Sequence, residues 1–267
     1  MTADTTEARL PTRQLIQPDV PEFDISTAGD EATRAGLVEL LTTMADDEFV
    51  IGFRDSEWTG IAPMLEEDVA FSSIAQDEIG HARVWYEMVA QLTGGDADRL
   101  AFHREPSEYR HARLLDHPRN DWAFTIARRW LYETADQVRL AALANSEFKP
   151  LADVVAKVRR EERYHLMHLD TWLRRLASTD GEARDGVTRG LETLIPDALT
   201  VFTGPMADQA ETWRLAANRT LSELDVPTIP QGEPPADGRD HSKPSESFLW
   251  LWGEFTSVAR LEEGAKW

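Results

Sequence analysis

Apolar residues recur at intervals of three and four along four long segments of this chain. The first segment shows the pattern in Leu37, Leu40, Leu41, Met44, Phe49 and Ile51. In the second segment, one side of a helix would carry Leu65, Val69, Ile74, Glu78, His81 and Trp85. Such spacing is typical of helices that bury one face. We therefore predict four long helices, over residues 30–51, 64–92, 120–144 and 151–177.

Residues that favour turns separate these segments. Gly52, Gly60 and Pro63 predict the end of the first helix and the turn into the second. Gly94-Gly95 predicts the end of the second helix, and Pro150 suits the first turn of the fourth. The fold class that follows is all-α, a four-helix bundle with additional C-terminal helices.

Outside the four helices the chain divides into an arm, flanking helices, a linker and an aromatic end. Residues 1–29 contain three prolines and no helical period, which predicts an irregular arm. One or two flanking helices are expected before residue 224, so the bundle and its flanking helices span 30–224. Five prolines in 225–245 predict an extended linker. The aromatic segment 246–267 is expected to form a helix that docks on the bundle or on a partner subunit.

Two Glu-x-x-His motifs are the candidate chemistry of the chain. Glu78 and His81 lie in the second predicted helix, and Glu162 and His165 lie in the fourth. Residues three apart are neighbours on a helix surface, so each motif puts a carboxylate and an imidazole side by side. The two motifs therefore form a pair of matched half-sites.

Other histidines fit this chemistry less well. Glu108 and His111 have the same spacing, but they follow Pro106 in a polar stretch between helical patterns, so we interpret them as a coincidence. His168 is rejected as a ligand because the residue three positions before it is a histidine. His103, His111 and His117 have no helical partner arrangement, and each is expected to be a surface or loop residue.

Each motif has an upstream glutamate in a helix of its own. Glu48 lies 30 residues before Glu78, and Glu133 lies 29 residues before Glu162. A Glu amid the apolar positions of a helix needs a metal, a cation or a proton, because an unpaired buried carboxylate is costly. One Glu from each of two helices and one Glu-x-x-His from each of two others is the ligand pattern of ferritin-like di-iron and di-manganese proteins.

The chemistry of two iron ions, or of manganese as the alternative, explains these residue types. Carboxylates offset the metal charge and bridge the ions, and neutral imidazoles add nitrogen donors. A ligating His normally passes its other N–H to an acceptor, for which Asp77 and Glu161 are the candidates, with ordinary solvated charge as the alternative. Six arginines close to the ligands in sequence can pair with these acids, meet an anionic substrate or be structural: Arg83, Arg128, Arg129, Arg159, Arg160 and Arg163.

Composition narrows the function classes. A net charge of −20 disfavours nucleic acid as a ligand. The absence of Cys excludes thiolate nucleophiles and the usual iron–sulfur clusters, so electrons for redox chemistry would come from a partner. No apolar run is long enough for a membrane span, and the N-terminus lacks the pattern of a secretory signal. We expect a soluble, cytoplasmic protein.

The motifs of this chain resemble those of the phenylacetic acid catabolic family, the ferritin-like subunits of ring-1,2-phenylacetyl-CoA epoxidase. The similarity covers most of residues 40–267. The stretches that carry it are Gln76-Asp77-Glu78-Ile79-Gly80-His81, Glu162-Arg163-Tyr164-His165, Glu57-Trp58-Thr59-Gly60, Asp121-Trp122-Ala123-Phe124-Thr125-Ile126-Ala127-Arg128 and the final Trp267.

The resemblance implies an oxidoreductase component that adds one oxygen atom of dioxygen across the aromatic ring of phenylacetyl-CoA. Electrons would come from NADPH through a separate flavin and iron–sulfur reductase. The implied partners are that reductase, a homologous ferritin-like subunit and a CoA thioester substrate, in an oligomeric complex. Carried over, the resemblance makes Glu48, Glu78, His81, Glu133, Glu162 and His165 the iron ligands.

Two alternatives share the same predicted fold, so the fold does not separate them. The family has a catalytic subunit and a C-type structural subunit, and the stretches outside the site are more similar to the C-type. A structural subunit with a vestigial site is therefore the first alternative, although all six ligand positions are metal-competent here. A ferritin-like protein that stores iron or removes peroxide is the second.

Overall fold

Eight α-helices build the part of the chain that the computed structural model describes, residues 21–261. No strand occurs within that range. The helices are α1 (Glu31–Ser56), α2 (Leu65–Thr93), α3 (Ala97–Phe102), α4 (Trp122–Leu143), α5 (Lys149–Ala177), α6 (Glu182–Ala198), α7 (Ala210–Glu223) and α8 (Glu246–Thr256). The predicted all-α, ferritin-like bundle is thereby confirmed, with α1, α2, α4 and α5 as its four long helices.

Local sequence sets the starts of the long helices. The Asp30 carboxylate accepts a hydrogen bond from the Thr33 N–H at 2.9 Å, and Asp121 accepts one from the Phe124 N–H at 2.8 Å. Such caps satisfy N–H groups that have no partner within the helix. Pro150 lies in the first turn of α5, where a missing N–H costs nothing. These starts agree with the sequence prediction.

The bundle consists of two helix pairs, α1 against α2 and α4 against α5, with α6 packed on α4. Large side chains from all four long helices fill the interior, including Phe71, Trp85, Trp130 and Leu169. The inward orientation expected for Leu65 and Val69 is wrong, since they are 75% and 64% exposed. At this end, α2 instead turns Glu67 inward, where its carboxylate lies 2.9 Å from Nε2 of His168 on α5.

The first helix continues past Gly52 to Ser56, so the predicted helix end at Gly52 is wrong. Gly52 serves a close approach of α1 to α2. A Cβ at this position would lie 2.8 Å from Cγ1 of Ile79 and 3.1 Å from the Ala75 carbonyl oxygen. The chain turns later, at Gly60, whose φ of 82° lies in the left-handed region that glycine favours.

The segment between α2 and α4 is folded against the bundle. Besides α3 it contains two 3₁₀ turns, over Pro106–Glu108 and Arg113–Asp116. His111 lies in a loop, which is one of the two predicted alternatives, but it is not at the surface. Its side chain is fully buried, and its ring stacks on that of His241 with 3.9 Å between centroids. His103 is exposed, as expected. His117 is half-buried, with Nε2 at 3.0 Å from Asp197.

The proline-rich segment 225–245 contains no helix and lies along the bundle, which explains the burial of His111. Arg239 reaches both carboxylate oxygens of Asp47, at 2.8 and 2.9 Å. His241 Nε2 lies 2.8 Å from the His111 carbonyl oxygen. Sequence patterns carry no sign of these contacts, because the residues involved are far apart along the chain.

The aromatic helix α8 packs one side on the bundle. Phe248, Leu251 and Phe255 are buried, whereas Leu249 and Trp250 remain 43% and 54% exposed. Parts of the predicted arm and of the aromatic end, residues 1–20 and 262–267, lie outside the described residues. Within residues 21–261, no helix combines the length and the apolar character that crossing a membrane requires.

Candidate metal centre

The structure brings all six sequence-predicted ligand residues together inside the bundle. None of them is more than 5% exposed. They form two groups whose ligand-capable atoms all lie within 4.8 Å of one another. The first half-site consists of Glu48, Glu78, His81 and Glu162, and the second half-site consists of Glu78, Glu133, Glu162 and His165. Glu78 and Glu162 belong to both half-sites.

Four helices position these side chains as the sequence pattern implies. Glu48 comes from α1 and Glu133 from α4, while α2 and α5 each supply a Glu and a His one turn apart. Buried apolar neighbours hold the helices in register around the site, among them Phe49 and Trp85. The site therefore lies in the bundle interior, and all six of its residues come from helices.

Both histidines turn Nδ1 towards the carboxylates. His81 Nδ1 lies 3.3 Å from Glu48 Oε2 and 3.1 Å from Glu162 Oε1. His165 Nδ1 lies 3.2 Å from Glu78 Oε1 and 3.4 Å from Glu162 Oε2. The donor atom that each imidazole offers to the centre is thus Nδ1.

The opposite ring nitrogens are held by the two acids singled out from the sequence. Nε2 of His81 lies 2.8 Å from Glu161 Oε2, and Nε2 of His165 lies 3.2 Å from Asp77 Oδ2. The pairing crosses between helices, since each acid neighbours one ligand Glu in sequence and contacts the His of the other motif. An Nε2–H donated to a carboxylate leaves the Nδ1 lone pair for a metal ion.

Several buried atoms of the centre have no hydrogen-bond partner among the described residues. They are Glu48 Oε2, Glu78 Oε2, His81 Nδ1, both carboxylate oxygens of Glu133, Glu162 Oε1 and His165 Nδ1. Buried polar atoms without partners are costly, so their convergence from four helices favours a bound cation between them. Carboxylate oxygens with one imidazole nitrogen per half-site suit iron or manganese. The residues present therefore fit a pair of divalent metal ions.

Burial and mutual repulsion perturb the protonation of the cluster. Burial and the Glu78 carboxylate raise the pKa of Glu48 well above its ordinary value. Burial and the neighbouring Glu162 do the same to the pKa of Glu133. Burial alone would lower the pKa of His81, but Glu162 and Glu48 outweigh it and raise that pKa to about 12. Without metal the cluster retains protons, and metal binding would have to displace them.

A buried arginine, Arg129, lies at one edge of the cluster. Nη2 of Arg129 on α4 pairs with Glu78 Oε1 and lies 3.3 Å from Glu133 Oε2. Its Nε lies 3.1 Å from Asp55 Oδ2 on α1. Burial opposes ionisation of Glu78, but the Arg129 guanidinium holds the pKa of Glu78 below its usual range. The sequence placed Arg129 near the ligands, whereas Asp55 was missed, although it lies two helical turns after Glu48.

The acids next to Glu48 are also buried, which sequence reasoning missed. Asp46, Asp47 and Glu48 point in three directions because successive helix residues are rotated by about 100°. Asp46 pairs with Arg104 and accepts a hydrogen bond from the Tyr86 hydroxyl at 2.5 Å. Asp47 pairs with Arg139 at 2.6 Å and with Arg239. Only Glu48 faces the centre, as the sequence predicted.

A cavity of about 870 Å³ lies beside the cluster. Its walls come from α2 and α5, and residues 21–27 form one side. His81 and its partner Glu161 lie at the cavity wall, together with Phe23. The cavity therefore meets the first half-site only at His81, whose Nδ1 is buried.

The remaining histidines lie away from the centre. His168 pairs with Glu67, in agreement with its rejection as a ligand. Glu108 accepts a hydrogen bond from the Glu105 backbone N–H and does not approach His111 through its side chain. His111, Asp116 and His241 form a separate group of potential ligands near the proline-rich segment.

Comparison with known proteins places the chain among proteins of phenylacetate catabolism. The profile of the family described as phenylacetic acid catabolic protein matches residues 22–225. The C-type subunit of 1,2-phenylacetyl-CoA epoxidase from Escherichia coli K12 is 36% identical over 136 residues, which cover 51% of this chain and 55% of the relative. The A-type subunit of the same enzyme is 24% identical over 135 residues, 51% of this chain and 43% of the relative. Each alignment thus spans about half of the curated relative. The profile match covers most of the chain, which therefore belongs to the phenylacetic acid catabolic protein family.

Proposed function

We propose that this chain is a metal-bearing subunit of a multicomponent oxygenase that epoxidises the aromatic ring of phenylacetyl-CoA. Membership of the family and the similarity to two epoxidase subunits support the pathway. The observation that carries the metal-bearing role is the convergence of four glutamates and two histidines from four helices. We assign the metal ligands to these six residues, with iron as the metal and manganese as the alternative.

Some residues of this chain would bind the metal ions, and others would orient the binding residues. Glu78 and Glu162 belong to both half-sites and would hold both ions, while Glu48 and Glu133 would each complete one half-site. Glu161 and Asp77 orient the imidazoles by accepting their Nε2–H groups. A bound pair of iron ions would supply the redox chemistry that activates dioxygen.

Burial gives the centre the dry environment that oxygenation needs. The ligand side chains are closed to water except along the cavity wall at His81. A low dielectric strengthens the electrostatic interactions of the cluster and excludes side reactions with water. We place the acyl end of the CoA thioester in the 870 Å³ cavity, with its aromatic ring towards His81.

The proposal includes partners outside this chain. The chain has no Cys and no nucleotide-binding fingerprint, so electrons from NADPH would arrive through a separate flavin and iron–sulfur reductase. A homologous ferritin-like subunit completes the complex. NADPH and CoA thioesters are metabolites of the cytoplasm, where we place the protein.

A structural role is the second candidate. The higher identity to the C-type than to the A-type epoxidase subunit, 36% against 24%, favours it. In that case the cluster would be a vestige, and the complex would turn over without it. The intact ligand set and its orphaned buried atoms favour the metal-bearing role.

The test is turnover of the reconstituted complex with one ligand removed from this subunit. Phenylacetyl-CoA consumption under air is measured with the wild-type chain and with Glu78→Gln. The matched control is Glu66→Gln, because Glu66 is an exposed acid on the same helix. We expect Glu78→Gln to abolish turnover and Glu66→Gln to leave it unchanged. Full turnover with Glu78→Gln in a folded complex would assign the chemistry to another subunit.

A further inference from the structure

The two half-sites differ in their cationic neighbours. Arg129 contacts Glu78 and Glu133, both of which belong to the second half-site. Within residues 21–261, no arginine or lysine lies within ion-pair distance of Glu48 or Glu162. Arg129 therefore contacts the first half-site only through the shared Glu78, whereas in the second half-site it contacts both Glu78 and Glu133.

We propose that the Arg129 guanidinium is a built-in counter-ion of the second half-site, so that the two half-sites bind metal unequally. The first half-site binds a divalent ion first and more tightly. The second half-site fills only when Arg129 moves off Glu78 onto Asp55. This inference rests on the proposed metal centre and concerns the order and affinity of its loading.

The contact atoms show why the guanidinium and a second metal ion compete. Glu78 Oε1 pairs with Arg129 Nη2 and also lies 3.2 Å from Nδ1 of His165. That oxygen thus faces the position where a metal ion between Glu78 and His165 would bind. A guanidinium and a divalent ion repel each other strongly inside a protein, where the dielectric is low.

Asp55 is an alternative ion-pair partner for Arg129. The Asp55 carboxylate is fully buried, and its Oδ2 already lies 3.1 Å from Arg129 Nε. Neither of its oxygens accepts a hydrogen bond from the described residues. Arg129 Nη1 likewise has no hydrogen-bond partner among the described residues. A planar guanidinium matches a carboxylate with two parallel hydrogen bonds, so a small movement towards Asp55 satisfies groups that are unsatisfied in the present arrangement.

The same arginine has a role before metal binding. Ionised glutamates buried side by side repel one another, and this repulsion destabilises the bundle. Arg129 offsets part of this charge in the metal-free chain, as shown by its ion pairs with Glu78 and Glu133. A chain that lacks Arg129 would therefore depend more on metal for its stability.

Metal titration of the full-length chain tests the inference. The metal-free protein is titrated anaerobically with Fe²⁺ in a calorimeter, and the iron retained after gel filtration is counted. For the wild-type chain we expect two binding steps whose affinities differ at least tenfold. Arg129→Gln should tighten the second step until it merges with the first. Asp55→Asn should weaken the second step at least tenfold and leave the first unchanged.

Two further measurements keep the test independent of folding defects and of activity. Arg83→Gln, at a half-exposed position on α2, is the matched control and should leave both steps unchanged. Metal-free Arg129→Gln should melt at a lower temperature than the wild-type chain and recover the difference on iron loading. If Arg129→Gln does not fold without metal, Asp55→Asn supplies the affinity test.

The outcomes separate this inference from the proposed function. Two equal steps in the wild-type chain, or an unchanged second step in both Arg129→Gln and Asp55→Asn, would overturn the counter-ion role and leave the metal centre standing. No stoichiometric iron in any folded variant would overturn both.

Discussion

Gly52 offers a sharp test of how closely α1 and α2 approach beside the centre. A Cβ at this position would lie 2.8 Å from Ile79 Cγ1 and 3.1 Å from Glu78 Cβ, so Gly52→Ala forces α2 to shift. Overpacking of this kind costs about 1–3 kcal/mol. Replacing a helical glycine by alanine returns about 1 kcal/mol through helix propensity. The expected net change is a loss of about 0–2 kcal/mol in the free energy of unfolding.

Gly36→Ala is the matched control for this substitution. Gly36 lies in the same helix, and a Cβ there would meet nothing within 4 Å. This control should gain about 0.5–1 kcal/mol. Urea denaturation of the metal-free chains, followed by circular dichroism, measures both changes. The difference between the two variants isolates the overpacking cost. Equal stabilisation by Gly52→Ala and Gly36→Ala would refute the close approach of the helices at Gly52.

Three further predictions concern charged and titratable side chains. Burial and His111 lower the pKa of His241 from 6.5 to about 4, so the unfolded chain binds more protons below pH 6.5 and stability falls as the pH falls. Between pH 7.5 and 5 the wild-type chain should lose about 2 kcal/mol more than His241→Gln in denaturant titrations, and parallel losses would contradict this. Glu161→Ala should weaken iron binding about 10–100-fold without unfolding the chain, because His81 loses its acceptor; unchanged calorimetric affinity would argue against that role. Arg239→Met should lower the free energy of unfolding by about 2–4 kcal/mol, because Arg139 alone then balances Asp47. A urea midpoint equal to that of the wild-type chain would show that the pair contributes nothing.

The four long helices and the six clustered residues were predictable because their signals are local. Helical periodicity reports which residues share a face, and Glu-x-x-His spacing reports a Glu and a His one turn apart. The upstream glutamates Glu48 and Glu133 stood out as acids among apolar positions. These features depend on the helix alone, so they are visible in the sequence before any tertiary contact is known.

The charge partners were not predictable, because they depend on tertiary contacts. Asp47 is balanced by Arg239, which is 192 residues away along the chain. The burial of His111 depends on His241, which stacks on it from the proline-rich segment. Position along a helix did not show that Asp55 and Arg129 meet across α1 and α4.

Two errors about local structure have the same origin. Gly52 was interpreted as a helix end, but the neighbouring helix makes glycine necessary in the middle of α1. Leu65 and Val69 were expected inside the bundle, but pairing with His168 of α5 turns Glu67 inward instead. In both cases a contact between helices overrode the preference of the isolated segment.

Anomalous diffraction at the iron edge from crystals of the iron-saturated chain would test the central claim most directly. Two anomalous peaks are predicted, about 3.5–4 Å apart, both beside Glu78 and Glu162. One peak should lie towards Glu48 and His81, and the other towards Glu133. Absence of anomalous density within the cluster, in a crystal that contains the intact chain and excess iron, would contradict the account.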